Sequence, residues 1–282
     1  MQLAAEEQYH RGVAFRDLHM GDGAFVVPNP WDAGSARLLS QLGFSALATT
    51  SAGLAFALGR PDGANLLSRE ETLANARSIA AATDLPVSAD LESCYAESTA
   101  AIAETIRLAA DAGLVGGSIE DATGNPDAPI HPLDTAVERV AAAVEAARAL
   151  PFPFTLTARA ENFLYGHADL ADTIARLRAY EQAGADVLYA PALPDADAIR
   201  AVCAAVGRPV NVLAGAGPLL SVDELSACGA RRISLGSGLS RAALGSLIAA
   251  AREIREHGTF SFLAGALPYP EANNLMAREV PR

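Results

Sequence analysis

The segment Val87-Ser88-Ala89-Asp90-Leu91-Glu92 closes an apolar run with two acids spaced i and i+2. In a strand such residues project to the same side, so Asp90 and Glu92 are expected to face together. Ser118-Ile119-Glu120-Asp121 ends a second run with further acids, and Thr157-Ala158-Arg159-Ala160-Glu161 places a cation on a third. Crowded carboxylates repel one another and take up protons unless a divalent cation neutralises them. Asp90, Glu92 and Glu120 are therefore expected to be oxygen ligands of a hard ion, Mg2+ or Mn2+, with some contacts running through water. Arg159 is expected to meet a substrate carboxylate with its planar fork of donors. The competing reading has these acids capping helices or pairing on a rim; three of them at the ends of neighbouring runs favour the metal.

Weaker signals surround this cluster. Thr49-Thr50-Ser51-Ala52-Gly53-Leu54 could offer backbone N–H groups and the Ser51 hydroxyl to an anion, or could simply be a flexible glycine-containing loop. Asn211, inside another apolar run, could point toward the same place. Cys94 follows the acids closely, where a thiolate is electrostatically disfavoured, so a packed thiol is expected. His131 and His167 could shuttle protons, although loop histidines are more often solvated. The glycines of Leu213-Ala214-Gly215-Ala216-Gly217 and Leu235-Gly236-Ser237-Gly238 are expected to form turns.

Eight short apolar or β-branched runs position these residues, each followed by a stretch with helical spacing. They are 25–30, 46–51, 86–92, 116–121, 155–161, 186–192, 209–214 and 232–237. Asp32, Ser68, Asp195 and Ser221 stand where N-cap oxygens are needed, and Gly43, Gly113, Gly184 and Gly229 follow helical patterns just before strands. Alternation of this kind implies a parallel sheet covered by helices, and eight units favour closure into a (β/α)8 TIM barrel, an α/β fold. The open alternative would need a GxGxxG fingerprint after the first run, where Asn29-Pro30-Trp31-Asp32 stands instead. A short helix is expected near residues 6–18, and residues 239–282 form a C-terminal helical extension with an apolar segment, Phe260 to Leu267. The whole chain, 1–282, is expected to be one domain, and its tail either contacts another subunit or docks on its own barrel.

The formal net charge of -12 arises from 33 acidic and 21 basic residues with no basic run, which argues against a nucleic-acid partner. Any anionic ligand must then be held locally, by a metal, an arginine or backbone N–H groups. Three cysteines without a CxxC pattern suit a reducing, cytoplasmic setting, and no apolar run is long enough for a membrane span.

Five pieces in order resemble the isocitrate lyase/phosphoenolpyruvate mutase superfamily: Pro30-Trp31-Asp32-Ala33-Gly34-Ser35-Ala36-Arg37, Thr50-Ser51-Ala52-Gly53-Leu54, Ser88-Ala89-Asp90-Leu91-Glu92, Ser118-Ile119-Glu120-Asp121 and Thr157-Ala158-Arg159-Ala160-Glu161-Asn162. The resemblance implies Asp90 as the direct Mg2+ ligand, with Asp62, Glu92 and Glu120 helping through water. It implies that Ser51, Ala52 and Gly53 bind the substrate carboxylate, assisted by Arg159. It also implies homotetramers whose last helix is exchanged between subunits, and chemistry through the enolate of a 2-oxo acid. The lid after the fourth run departs from the pattern, because isocitrate and methylisocitrate lyases carry Lys-Lys-Cys-Gly-His there. Here it reads Ala122-Thr123-Gly124-Asn125-Pro126-Asp127-Ala128-Pro129-Ile130-His131, without a cysteine. That favours a mutase-like branch, in which Asn125 or Thr123 serves the lid. The expected activity is a Mg2+-dependent lyase acting on a small 2-oxo or 2-hydroxy dicarboxylate by C–C cleavage, decarboxylation or hydrolysis. The alternatives are phosphoenolpyruvate mutase or phosphonopyruvate hydrolase and, in another class, a non-catalytic 2-oxo acid-binding barrel.

Overall fold

The computed structural model describes residues 5–63, 66–217 and 219–277. Eight parallel strands form one sheet: β1 (Phe25–Val27), β2 (Leu47–Ala48), β3 (Val87–Asp90), β4 (Gly116–Glu120), β5 (Thr155–Arg159), β6 (Val187–Tyr189), β7 (Val210–Leu213) and β8 (Arg232–Ser234). Each strand pairs with its sequence neighbour except at the seam, where β1 pairs with β8 from Phe25↔Arg232 to Val27↔Ser234. The Ala48 N–H donates to the Pro28 carbonyl at 3.2 Å and closes the ring between β1 and β2. The strands are shorter than the apolar runs suggest. Beyond them the chain turns toward helices, as after Val27, where Pro28 and Pro30 have no N–H to extend a ladder.

The helices begin and end where side-chain chemistry dictates. Asp32, Ser68, Asp195 and Ser221 cap α2 (Ala33–Gln41), α4 (Arg69–Ala80), α8 (Ala196–Ala205) and α9 (Val222–Ala227). Gly43, Gly113, Gly184 and Gly229 take left-handed φ values between 85° and 99° at the helix exits. The intervening helices are α3 (Ser51–Ala57), α5 (Thr99–Asp111), α6 (Leu133–Arg148) and α7 (Leu170–Gln182). Outward strand residues such as Val87, Ile119, Leu156, Leu188, Val212 and Ile233 bury against them, and many helix contacts are alanines that allow close approach.

The amino-terminal helix α1 (Ala5–Leu18) closes the far end of the barrel. Its Gln8 donates to the carbonyls of Ala110 (2.7 Å) and Leu114 (3.1 Å), Arg11 donates to that of Thr83 (2.8 Å), and Phe15 is fully buried.

The carboxy-terminal elements are different. Helix α10 (Gly238–His257) has 20 residues, of which Ser240 alone is buried, and a 3-10 turn (Ser261–Gly265) and α11 (Tyr269–Ala277) follow. Leu247, Phe260 and Leu263 are 64%, 59% and 60% exposed. The end of the described tail meets the barrel, where Gln41 Nε2 donates to the Leu275 carbonyl at 2.7 Å and Arg37 Nη1 to that of Met276 at 3.2 Å.

Candidate active site

Strand β3 ends on Asp90, whose N–H donates to Thr49 Oγ1 at 3.0 Å. Its carboxylate is surrounded by donors. Oδ1 receives Arg159 Nη1 at 2.8 Å, Ser118 Oγ at 3.3 Å and the Glu92 N–H at 3.4 Å; Oδ2 receives Ser51 Oγ at 2.9 Å and the Ser51 N–H at 3.4 Å. Burial alone would raise its pKa, but Arg159 and the Ser51 and Glu92 donors outweigh it, so Asp90 stays below the ordinary carboxylate value.

Arg159, at the end of β5, does not hold an open fork toward the cavity as expected. Its three nitrogens meet three carboxylates: Nη1 to Asp90 at 2.8 Å, Nη2 to Glu120 at 3.2 Å and Nε to Glu161 at 2.8 Å. The guanidinium carbon lies 5.1 Å from the centre of the Tyr189 ring. One cation among three acids is too little. Burial and the neighbouring carboxylates push Glu120 well above its ordinary pKa and Glu161 above its own, despite the pull of Arg159.

Glu92 reaches the cluster by a route other than strand alternation. β3 stops at Asp90, and the chain then turns sharply, with Glu92, Cys94 and Tyr95 at φ values of 48°, 62° and 53°. Such left-handed conformations are uncommon for side-chain-bearing residues and concentrate at functional sites. Burial, then Asp90 and Asp62, push Glu92 up to about 7. Asp62, on the exposed rim, is also raised, by burial in the mouth and by Asp90. Among the described residues no three acids, histidines or cysteines stand close enough to cage an ion by themselves. The donor chemistry fits a hard cation with one direct carboxylate ligand, Asp90, and water-mediated contacts to the others, because excess negative charge and oxygen donors are what such an ion needs.

The Thr49–Leu54 segment is not a flexible loop. Thr50 Oγ1 accepts the Gly53 N–H at 3.1 Å and starts α3 at Ser51. Ser51 and Ala52 line the cavity, whereas the Gly53 N–H is already engaged by this cap. Gly53 is needed for space: a Cβ there would lie 2.6 Å from Thr50 Cγ2 and 3.0 Å from Trp31 Cβ.

These groups open on a cavity of about 240 Å³ that runs into the barrel interior, a volume suited to a small metabolite. Asn211 lines it, donating to Ser234 Oγ at 2.9 Å and accepting from Arg232 Nε at 2.8 Å. The expected lid is a small hairpin, bridged between Ala122 and Ile130. Asn125 is not brought to the cavity, because its Oδ1 accepts the Asp127 N–H at 3.0 Å and its N–H donates to Thr123 Oγ1 at 2.9 Å, so both groups brace the hairpin tip. Cys94 is a packed thiol, pushed by burial up to about 12. His167 is exposed, and burial and Arg139 hold His131 below its ordinary value in a neighbouring rim groove. Sequence reasoning missed Ser118, Tyr189, Glu161 and Arg232 as site residues. All four lie in runs already recognised; Ser118 and Glu161 stand two residues from Glu120 and Arg159, which was the available signal, whereas Tyr189 and Arg232 offered none.

A family model described as phosphoenolpyruvate phosphomutase matches residues 15–255. The chain belongs to the isocitrate lyase/phosphoenolpyruvate mutase superfamily. A crystal structure from Burkholderia cenocepacia J2315, named only as a lyase or mutase, is 57% identical, with a TM-score of 0.95 over 98% of this chain and 99% of that one. The 2-methylisocitrate lyase of Escherichia coli K12 is 30% identical over 224 residues, 76% of this chain and 74% of its own length. An oxaloacetate acetylhydrolase solved with its product oxalate is 27% identical, with a TM-score of 0.85 over 95% and 94% of the two chains. The superfamily member described here is thus an enzyme of a group of lyases and mutases.

Proposed function

We propose that this superfamily member is a Mg2+-dependent lyase acting on a small 2-oxo or 2-hydroxy dicarboxylate through the enolate of a 2-oxo acid. The observation that carries this reading is the ionised Asp90 carboxylate, held by Arg159 and Ser51 at the wall of a small cavity where other acids are raised by burial and by their mutual repulsion. Asp90 would hold Mg2+, and the chemistry the ion would supply there is Lewis-acid polarisation of the substrate carbonyl. Ser51 orients Asp90 through its hydroxyl and starts the helix against which the substrate carboxylate lies. Arg159 keeps Asp90 ionised and pairs with Glu120 and Glu161, offsetting part of their mutual repulsion. Leu164 and Tyr165, beyond β5, cover the acids from solvent, and burial with Glu120 pushes the Tyr165 hydroxyl up to about 12, so it stays protonated. The relatives that act on 2-methylisocitrate and oxaloacetate support the substrate class.

A second reading, P–C chemistry on phosphonopyruvate, is favoured by the lid sequence 122–131, which carries no cysteine. We further propose that the protein is a cytoplasmic homo-oligomer, a dimer or tetramer. The exposed apolar side of α10 and the tail supports the oligomer, and three free cysteines support the compartment.

The test is steady-state turnover of oxaloacetate, 2-methylisocitrate and phosphonopyruvate. Chelation is expected to abolish activity and added Mg2+ to restore it. Full turnover in excess chelator, with metal removal verified, sinks the metal-dependent reading. Ligand-dependent thermal stabilisation without product identifies a binding barrel instead.

A further inference from the structure

Barrel interiors are ordinarily filled with branched apolar side chains, and a buried charge is retained only when something compensates it. Arg232 departs from this. It begins β8, is 6% exposed, and reaches across the barrel interior to β5, where Nη2 donates to Thr157 Oγ1 at 2.9 Å. Nε donates to Asn211 Oδ1 at 2.8 Å, and Nη1 lies 3.5 Å from His19 Nε2. Each partner is uncharged. His19 Nδ1 lies 2.8 Å from the Phe15 carbonyl, which places the ring proton on Nδ1 and leaves Nε2 as an acceptor. Burial and Arg232 hold His19 down at about 3, so it neither adds to nor offsets the guanidinium charge.

No ion pair among the described residues includes Arg232, whereas Arg159, on the same cavity, meets three carboxylates. The cavity is therefore polarised, with acids at the β3–β5 mouth and an uncompensated cation at its floor. The neutral contacts aim the guanidinium without exhausting its N–H groups. A ligand carrying a negative charge at its far end would supply the missing counter-charge, with a planar partner suited to a carboxylate.

We propose that Arg232 is the recognition group for the distal carboxylate of a small dicarboxylate, and so sets the preference for diacids over monoacids. This rests on the reading of the cavity as a 2-oxo acid site. Thr157, Asn211 and His19 position the guanidinium.

The experiment compares binding to the Mg2+-supplemented full chain, by calorimetry and thermal shift, for two pairs that differ by one carboxylate: oxaloacetate against 2-oxobutyrate, and 2-oxoglutarate against 2-oxopentanoate. At least one diacid should bind about ten- to a hundredfold tighter than its monoacid, the range for a hydrogen bond to a charged group. Arg232→Gln should close that gap, and Arg232→Lys should keep part of it. Equal binding within both pairs by the unaltered protein overturns the assignment of Arg232, needs no variant to fold, and leaves the 2-oxo acid reading standing. Absence of binding for all four acids overturns both.

Discussion

The mouth formed by β3, β4 and β5 and the helix that follows β8 handle exposure in opposite ways. At the mouth, Asp90, Glu120, Arg159 and Glu161 are bound to one another and to Ser51 and Ser118, so the region completes its polar contacts within one chain. Along α10 and the 3-10 turn, Leu247, Phe260 and Leu263 stand in solvent although the preceding barrel has many helices that could have covered them. The contrast teaches that this sequence gathers its chemical centre within one chain, short of positive charge, and leaves an outer surface uncovered. Chemistry and assembly can therefore be perturbed separately.

The largest effect is expected from breaking the chemical centre. Asp90→Ala removes the carboxylate on which Arg159, Ser51 and Ser118 converge. Loss of one such electrostatic contact typically costs about 3 kcal/mol, roughly a hundredfold in rate, and loss of the ion costs more. Turnover and Mg2+ affinity should fall together, with a circular dichroism spectrum like that of the unaltered protein. Near-normal metal binding and turnover in this variant would make Asp90 a mere rim acid.

A middle effect is expected from the other side. Deleting residues 259–282 should leave the Asp90 cluster intact but lower the molar mass seen by light scattering, or cause aggregation as α2 loses its cover. Full-length protein that runs as a monomer at working concentration would show instead that the exposed tail needs no partner.

The smallest effect sharpens how short of positive charge the mouth is. Glu92 has a folded-state pKa near 7, above its ordinary 4.5, so the fold binds its proton more tightly than the unfolded chain does. Stability contributed by that proton is full below about 4.5 and is lost as pH rises toward 7. Without divalent ion, Glu92→Gln should therefore melt a few degrees (~2–6 °C) higher than the unaltered protein at pH 8, and the gain should vanish by pH 4. Equal melting at both pH values would mean that the mouth tolerates Glu92 ionised without help.

Much of the fold was legible because local chemistry and the global arrangement agree. Asp32, Ser68, Asp195 and Ser221 announced helix starts, and glycines such as Gly184, at φ 99°, announced helix exits. The acids of β3 and β4 and the arginine of β5 were visible as polar groups at the ends of apolar runs. The rest depended on backbone geometry or long-range contact. The two-residue alternation of Asp90 and Glu92 does not hold, because the chain leaves the strand between them through left-handed residues. The Thr49–Leu54 segment looked loop-like until Thr50 capped it. Asn125 looked available for chemistry, but its side chain serves the hairpin turn two residues on. Arg232 was silent because its meaning comes from Thr157, Asn211 and His19, which are distant in the chain.

The seam of the barrel has a consequence for biosynthesis. β1 emerges first from the ribosome, yet its ladder partner is β8, the last strand to be made. Until Arg232–Ser234 has been released, β1 has no ladder partner and is joined to the β2 side by the bonds from Ala48 to Pro28 and from Asn29 to Thr49. Pairings between chain ends carry the greatest loop-closure penalty and form late. Any sheet formed before β8 is made therefore has β1 as an unpaired edge. Such edges are what chaperones recognise and aggregates recruit. Completion of the ring thus waits on the pairing of the two strands farthest apart in the chain.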